Sequence, residues 1–322
     1  MNEGLKPLRL LPAGKGYIWG GERLKKEYNK SLDIIPLAET WECSVHPDGM
    51  SLISGGEFDG LTLKEVLDRN PRYLGTKSDS LPILIKFIDA ARDLSIQVHP
   101  DDAYAREHEG DNGKTEFWYV LDAEEGAELI YGFEHPMDRQ RLRSAIEDGS
   151  LEKMLHHMPV HKGDMFFVYP GTVHAIGKGI VLVEVQESSN LTYRLYDYNR
   201  TDKNGQKRPL HIEKAADVLN MKPVNIIRQP QRMVRYYFGC AREILCRCEY
   251  FEVERIQVTK GFSFSVFDTS FQVLLCTDGN GGLETDESNK PVRFDKGACI
   301  FLPAGMGRCH IIGECVLLKV RC

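Results

Sequence analysis

Two stretches of the chain, KGDMFFV at residues 162–168 and KGACIFL at residues 296–302, align with each other without a gap. Each begins with Lys-Gly, continues as a short apolar strand and runs into a turn that contains proline and glycine. Continuing the same register pairs His174 with Arg308. This internal repeat predicts two related β-barrels. The second copy therefore has a cation where the first has a histidine.

Most of the remaining sequence predicts short strands joined by turns. The predicted strands, rich in β-branched and aromatic residues, are Leu81–Ile88, Phe117–Leu121, Met165–Tyr169, Ile180–Gln186, Tyr250–Val258 and Val273–Cys276. Helical spacing of apolar residues is found at Thr62–Arg69, Asp138–His157 and Ile212–Leu219.

The predicted fold class is therefore all-β, with two jelly-roll barrels and a small helical insertion around residues 138–157. The predicted domains are residues 1–235, which contain the first copy of the repeat, and residues 236–322, which contain the second. The second domain is expected to begin after a proline-containing stretch at residues 223–230.

Composition excludes several classes of function. The 322 residues are enough for two domains, and 42% hydrophobic with 27% charged residues is ordinary for a globular protein. A net charge of -6 without a basic block makes nucleic acid an unexpected partner. No apolar run approaches the ~20 residues that a membrane helix needs. The first residues lack the apolar core of a signal peptide, so a cytoplasmic location is expected.

The nine cysteines are unevenly distributed, with Cys43 alone in the first 239 residues. None of them forms a Cys-x-x-Cys pair. An odd number of cysteines without a secretion signal indicates reduced thiols. We expect them to pack as small apolar residues rather than to form a second metal site.

Three short stretches carry residue types that bind divalent cations, and they are SIQVHPD (95–101), KTE (114–116) and PGTVHA (170–175). Gln97 and His99 alternate, so on a strand both side chains face the same way. Glu116 follows after a loop, and His174 follows a turn that contains glycine. Two imidazoles, a carboxylate and an amide oxygen suit a borderline cation such as zinc. Because no thiolate is present, we expect an open position for water or substrate. Arg308 takes the place of His174 in the second copy of the repeat, so only the first domain, residues 1–235, is expected to bind metal.

The same stretches resemble a known family. The turn before His174 is similar to the second motif of a cupin barrel. The segments SIQVHPDDAYA, GKTEFWYVL and VYPGTVHAIGKGIVLVEVQ together resemble the type I mannose-6-phosphate isomerases in their shorter bacterial form. The segments IWGGERL, ETWECSVHPDG, LPILIKFIDA and TYRLYDYNR extend the match to about residues 10–215. The C-terminal third resembles a degenerate cupin.

The resemblance implies a zinc-dependent isomerase that interconverts mannose 6-phosphate and fructose 6-phosphate. It implies one zinc ion per chain, with four ligands: Gln97, His99, Glu116 and His174. It also implies that Arg194 is catalytic and that Ser95 and Lys114 contact the substrate. The expected partner is a small phosphorylated sugar, bound by a monomer or a homodimer. Zinc, manganese and cobalt all stay open as the native metal.

Aldose–ketose isomerisation moves a proton between C2 and C1 through an enediol, so the site needs a base and a way to stabilise negative charge. Arg194 and Lys114 can stabilise that charge or bind phosphate. Arg194 can instead pair with Asp197 or Glu187, and Lys114 can be a solvated loop charge. Lys86 lies in an apolar strand, where it either contacts substrate or extends to the surface. The base is left open between a metal-bound water, Lys114 and Lys86.

Two positions depart from the family pattern, in which Gln-Gln-Ser-Ser-Asp often precedes the TYR motif. This chain has Glu187 and Asn190 instead, which affects substrate range and rate more than reaction class. Asn190 keeps open the alternative of a metal-binding sugar sensor without turnover. A metal-dependent oxygenase is a third alternative, which Gln97 in place of a histidine disfavours. The HPDG segment at residues 46–49 predicts a turn with a structural histidine.

Overall fold

The computed structural model describes residues 4–201, 204–224, 232–286 and 288–322. Residues 225–230 of the predicted proline-containing stretch lie outside this part of the chain. The strands of the first two thirds are β1 (Leu8–Leu11), β2 (Ala13–Lys15), β3 (Glu39–Cys43), β4 (Leu52–Ser54), β5 (Ile83–Ala90), β6 (Ile96–Val98), β7 (Glu116–Ala123), β8 (Glu128–Phe133), β9 (Leu155–Pro159), β10 (Met165–Val168), β11 (His174–Ile176), β12 (Ile180–Glu187) and β13 (Tyr193–Tyr196).

The last third is also made of strands. They are β14 (Arg235–Tyr237), β15 (Cys240–Arg247), β16 (Glu252–Val258), β17 (Gly261–Val266), β18 (Gln272–Thr285), β19 (Ser288–Asp295), β20 (Cys299–Leu302) and β21 (Gly307–Arg321). The two longest are β18 and β21. The α-helices are α1 (Arg23–Glu27), α2 (Leu63–Arg69), α3 (Asp102–His108), α4 (Arg139–Glu147) and α5 (Ile212–Val218). The protein is therefore mostly β, as predicted.

Two of the three sheets enclose the region of the predicted site. A six-stranded sheet has the order β10-β7-β12-β5-β3-β2, and a five-stranded sheet has the order β13-β6-β11-β8-β9. They pack face to face, since Ile88 and Trp118 of the first share a buried apolar cluster with Leu129 and Ile176 of the second. The site therefore lies between two sheets that a shared core holds together.

The third sheet has ten strands and contains both ends of the chain. Its order is β14-β15-β16-β21-β18-β20-β1-β4, with β17 on β21 and β19 on β18. Strand β1 pairs with β20 through Leu8 opposite Phe301, so this sheet crosses the predicted boundary at residues 235 and 236. Within the part of the chain that the structure describes, none of the three strand orders closes into a ring, and the prediction of two jelly-roll barrels is therefore not confirmed.

The internal repeat is present in the backbone. Gly163 and Gly297 adopt φ angles of 91° and 90°, a region that glycine enters without a steric penalty. The N–H of Gly163 donates to the carbonyl of Val120 at 2.8 Å, and the N–H of Gly297 donates to the carbonyl of Cys276 at 2.7 Å. The two glycines thus make the same turn at the start of β10 and of β20.

The predicted helices begin where the sequence indicated. Thr62 caps α2, and its side chain and that of Glu65 form a capping box. The region predicted as helical over Asp138–His157 is helical only at Arg139–Glu147 and in a 3-10 turn at Leu151–Met154. Beyond that turn the helix prediction is wrong, because the chain continues as β9 and pairs with β8.

The cysteines are all free thiols, as predicted. Six are buried, and the three half-buried ones are Cys246, Cys248 and Cys322. Within the described residues, no helix is long and apolar enough to cross a membrane.

Candidate metal centre

Three buried side chains converge on one point between the two facing sheets. His99 directly follows β6, Glu116 begins β7 and His174 begins β11. Nε2 of His174 lies 3.1 Å from Nε2 of His99, which lies 3.3 Å from Oε1 of Glu116. One ligand atom from each residue can be chosen so that all lie within 4.8 Å of one another. Two imidazoles and a carboxylate at this spacing can hold a divalent cation.

The outer nitrogens of both imidazoles are held by backbone carbonyl groups. Nδ1 of His99 lies 2.7 Å from the carbonyl oxygen of Leu191, and Nδ1 of His174 lies 2.8 Å from that of Thr172. A carbonyl can only accept, so Nδ1 carries the proton and Nε2 keeps its lone pair. This is the tautomer in which Nε2 binds metal, with the outer contact fixing the orientation of the ring.

Glu116 provides a test of whether a cation fits. Its side chain is fully buried, and neither oxygen accepts a well-formed hydrogen bond among the described residues, although the ammonium group of Lys114 contacts Oε1. Burial raises the pKa of Glu116, but Lys114 and His99 outweigh burial and hold that pKa well below its usual range. A buried, ionised carboxylate that has one oxygen in contact with Lys114 and neither oxygen in a well-formed hydrogen bond fits a bound cation.

Both histidines are neutral near neutral pH. Burial, followed by the charge of Lys114, lowers the pKa of His99 to about 4. Burial also lowers the pKa of His174. Because the neutral imidazole is the form that ligates metal, the centre does not have to lose protons from these rings on binding.

Gln97 lies beside this group through its terminal amide. Its Nε2 is 3.4 Å from Nε2 of His174, and its Oε1 is 3.4 Å from the hydroxyl of Ser95, which donates to it. A half-turn of the amide exchanges nitrogen and oxygen and directs the oxygen, the ligating atom, toward the histidines. The structure thus places Gln97 next to the group, and its role as a ligand stays a prediction.

Lys114 and Ser95 both lie beside the candidate metal ligands, and their contact with substrate stays a prediction. Lys114 is 3% exposed, and its Nζ is 3.3 Å from Nε2 of His99 and in ion-pair contact with Glu116. The alternative of a solvated loop charge is therefore wrong. Ser95 is 3% exposed and accepts a hydrogen bond of 3.2 Å from Nε of Arg194. Ser95 thus links the arginine to Gln97.

Arg194 keeps its guanidinium available for an anion. Neither of the two expected partners is paired with it, because Asp197 is held by two other arginines and Glu187 accepts from the backbone N–H of Thr115 at 2.7 Å. Among the described residues Arg194 forms no ion pair, and its side chain bonds instead to Ser95 and a backbone carbonyl.

Lys86 is buried in an ion-pair network. It is 4% exposed, and its Nζ donates to Oε1 of Glu184 at 2.8 Å and lies 3.9 Å from Oε2 of Glu39. The other oxygen of Glu184 accepts from Nε1 of Trp118 at 2.9 Å. Burial lowers the pKa of Lys86, but the two carboxylates outweigh burial and raise that pKa above its usual range. The alternative of a lysine that extends to the surface is wrong.

A cavity of about 280 Å³ opens beside the His–Glu–His group. It brings together the predicted residues Lys86, Ser95, Gln97, Lys114 and Arg194. The remaining lining residues are Tyr17, Trp19, Glu39, Ile88, Leu94, Ile176, Glu184, Asn190, Thr192, Arg208 and His211.

Sequence reasoning missed the charged residues Glu184, Arg208 and Glu39 of this cavity. A signal for Glu184 was present, since it interrupts the apolar run IVLVEVQ as Lys86 interrupts ILIKFI. Two opposite charges in two buried strands indicate a pair when the strands are neighbours, and the structure sets Glu184 directly opposite Lys86. Arg208 lies in a loop without such a pattern.

The second repeat places different side chains at the corresponding positions. Gln97 pairs with His174 across β6 and β11. Ser265 pairs with Arg308 across β17 and β21 in the same way. By the same register, the four positions that correspond to the predicted ligands hold Ser265, Phe267, Gln272 and Arg308. None of these residue types supplies an imidazole or a carboxylate.

Comparison with known proteins agrees with this geometry. Residues 8–130 match the family model of the type I phosphomannose isomerase catalytic domain, and residues 242–322 match that of the mannose-6-phosphate isomerase cupin domain. A mannose-6-phosphate isomerase of Bacillus subtilis is 35% identical over 319 residues, covering 97% of this chain and 98% of that protein. The chain belongs to the type I mannose-6-phosphate isomerases.

Other members of this isomerase family show the same relationship. A mannose-6-phosphate isomerase of Streptococcus mutans is 47% identical over 222 residues, covering 68% of this chain and 70% of that protein. The crystal structure of a B. subtilis mannose 6-phosphate isomerase superposes with a TM-score of 0.91 at 34% identity, covering 98% of this chain and 99% of that one.

A more distant isomerase structure shares the fold alone. It is a mannose 6-phosphate isomerase bound with zinc and yttrium, with a TM-score of 0.76 at 17% identity and 98% coverage of both chains.

Proposed function

We propose that this chain interconverts mannose 6-phosphate and fructose 6-phosphate, with one zinc ion per chain held by the His–Glu–His group and Gln97. The observation that carries the proposal is the position of that group beside a cavity that Lys114 and Arg194 also line. The named activity of relatives that match along nearly the whole chain supports the same reaction here.

The donor set supports zinc. It contains imidazole and carboxylate and no thiolate, which suits a borderline cation in a site with an open position. When bound, such a cation polarises a carbonyl oxygen or holds two neighbouring sugar oxygens. Zinc in a related isomerase of the same fold supports this choice over manganese and cobalt.

The reaction moves a proton between C1 and C2, and negative charge develops on a sugar oxygen meanwhile. Lys114, beside the ligand atoms of His99 and Glu116, donates a hydrogen bond to that oxygen. Arg194, oriented by Ser95 and not neutralised by a carboxylate, adds a second positive charge at the same oxygens. Both are catalytic residues in this proposal.

The phosphate group is bound by the charge of the cavity. The cationic side chains that line it are Lys86, Lys114, Arg194 and Arg208, and the carboxylates are Glu39 and Glu184. Lys86, Lys114 and Arg208 are each paired with a carboxylate, whereas Arg194 has no such partner among the described residues, so Arg194 supplies the positive charge that suits a phosphate dianion. The pairing that raises the pKa of Lys86 keeps its ammonium protonated, so Lys86 binds substrate and is not the base.

A coupled assay on the purified protein tests this function. Mannose 6-phosphate is supplied and fructose 6-phosphate is followed before chelation, after chelation and after zinc is added back. We expect activity to vanish with the metal and to return with it, and to scale with one zinc per chain. An inactive protein that still binds one zinc ion would refute the isomerase proposal.

Two histidine variants test whether the proposed ligands bind zinc. His174→Ala removes a proposed ligand, so zinc content and activity are expected to fall together. His157→Ala is the control, because this exposed histidine of β9 places its side chain against the Glu152 carbonyl and the Glu128 carboxylate and does not line the cavity. Equal loss of zinc in both variants would contradict the ligand assignment.

A further inference from the structure

The turn at residues 46–49 contacts the wall of the cavity through the side chain of Asp48, which lies outside the cavity itself. The N–H of Gly49 donates to the carbonyl of His46 at 2.9 Å, which closes the turn, and the N–H of Asp48 donates to Nδ1 of His46 at 3.1 Å. Oδ2 of Asp48 then accepts a hydrogen bond of 2.7 Å from Nδ2 of Asn190, which lines the cavity. The contact joins segments 142 residues apart in the chain.

The turn has a rigid support. The indole ring of Trp41 is fully buried, and the ring of His46 packs against it with centroids 5.7 Å apart. Gly49 also lies on this ring, since a Cβ atom at that position would come within 2.9 Å of it. Lys15 covers the ring at 4.6 Å and donates to the carbonyl of Asp48. The backbone that carries Asp48 is therefore held in place from the protein core, while the carboxylate itself is 54% exposed and reaches Asn190 at the surface.

On the other side of the contact, Asn190 is followed by Leu191, which orients the proposed metal ligand His99. The carbonyl of Leu191 accepts from Nδ1 of His99 at 2.7 Å. The N–H of Leu191 donates to Ser189 Oγ at 3.2 Å, and Gln186 Nε2 donates to the Ser189 carbonyl at 2.6 Å. The Asn190 side chain adds a tie from this segment to the turn, and a shift of the segment moves the carbonyl that fixes His99.

We propose that Asp48 is a positioning residue for the metal centre, acting through Asn190 and the Leu191 carbonyl on the ring of His99. This inference rests on the proposed function and adds to it a residue outside the cavity. An outer contact that orients a ligating histidine contributes to metal affinity as well as to turnover. The hydrogen bond between Asp48 and Asn190 thus holds zinc more tightly than the ligands alone would.

The contact requires one donor and one acceptor. An aspartate at 190 would set a second carboxylate at hydrogen-bond distance from Asp48 and push the two segments apart. Exchanging the residues, with asparagine at 48 and aspartate at 190, restores an amide donor opposite a carboxylate. The pair can therefore be tested by a charge exchange that leaves the net charge and composition unchanged.

The experiment compares Asn190→Asp, Asp48→Asn and the double variant with the parent protein. The first readout is the rate at which EDTA extracts zinc from the loaded protein, and the second is kcat and KM for mannose 6-phosphate. We expect Asn190→Asp to accelerate zinc extraction and to lower kcat by about tenfold each. Asp48→Asn keeps a neutral hydrogen bond and is expected to change both by less than about threefold.

The decisive result is rescue, with the double variant returning to within about threefold of the parent protein in both readouts. A double variant as impaired as Asn190→Asp would overturn the proposal. If Asn190→Asp does not fold, Asp48→Ala removes the acceptor without repulsion, and unchanged zinc extraction in that variant would also overturn it.

Two controls accompany these variants. Asp59→Asn makes the same chemical change in a turn remote from the cavity, where Asp59 accepts from the N–H of Gly55 at 2.6 Å, and it is expected to change neither readout. The activity of the parent protein is the second control. An inactive parent protein would refute the proposed function, while zinc extraction would still test the role of Asp48.

Discussion

Replacing Lys86 by methionine tests the buried ion pair beside the cavity. The Nζ–Oε1 distance of 2.8 Å to Glu184 corresponds to an attraction of about 6 kcal/mol at an effective dielectric constant of about 20. The side chains of Lys86 and Glu184 are only 4% and 5% exposed, so the remaining carboxylate would be left without its counter-charge. We expect Lys86→Met to lower the free energy of unfolding by about 3–5 kcal/mol.

The assay is urea unfolding followed by tryptophan fluorescence, because Trp118 contacts Glu184 directly. Excess zinc is kept in all samples so that differences in metal occupancy do not contribute. The double variant Lys86→Met/Glu184→Gln removes both charges of the 2.8 Å pair and leaves only Glu39, 3.9 Å from the lysine in the parent protein, so it is expected to recover at least about 2 kcal/mol of the loss. Lys64→Met, in an exposed pair with Asp68, is the matched control and is expected to cost less than about 0.5 kcal/mol.

Two results would refute this reasoning. A loss below about 1 kcal/mol in Lys86→Met would mean that water reaches the pair and screens it. A double variant at least as unstable as Lys86→Met would mean that the residues contribute through packing rather than through their mutual charge.

Three further predictions follow from other sites. Arg194→Ala is expected to lower kcat by about 100-fold while zinc content, measured by elemental analysis, stays at one per chain. Burial raises the pKa of Glu187 from 4.5 to about 7, so its ionisation lowers stability as the pH rises through that range. Glu187→Gln should therefore raise the melting temperature over the parent protein at about pH 8 and little at about pH 4, and the reverse would contradict the burial argument. Gly297→Ala should lower the free energy of unfolding, measured with denaturant, by at least about 3 kcal/mol, because a Cβ at that position meets the Tyr28 carbonyl oxygen at 2.0 Å. Gly163→Ala should lower it by only about 1 kcal/mol, because a Cβ there meets no atom closer than 3.7 Å.

Much of the local structure could be predicted because its causes lie within a few residues. The Thr62 cap, the turn at residues 46–49 and the repeat turns at Gly163 and Gly297 each depend on neighbouring backbone and side-chain groups. The helix predicted to reach His157 failed because tertiary pairing with β8 overrode the local helical pattern. The repeat could not show whether the sheets close into barrels either, since closure depends on which distant strands pair.

The sequence by itself determined the mostly β architecture, the repeat and the residue types of the candidate metal centre. Alternation on a strand is a local rule, so Gln97 and His99 could be assigned to one site before any distance was known. Only the tertiary structure decided which charges meet: Lys86 with Glu184 across two strands, and Asp48 with Asn190 across 142 residues. Such pairs depend on strand register and on loops that close from different sheets, and no short stretch of the chain encodes either.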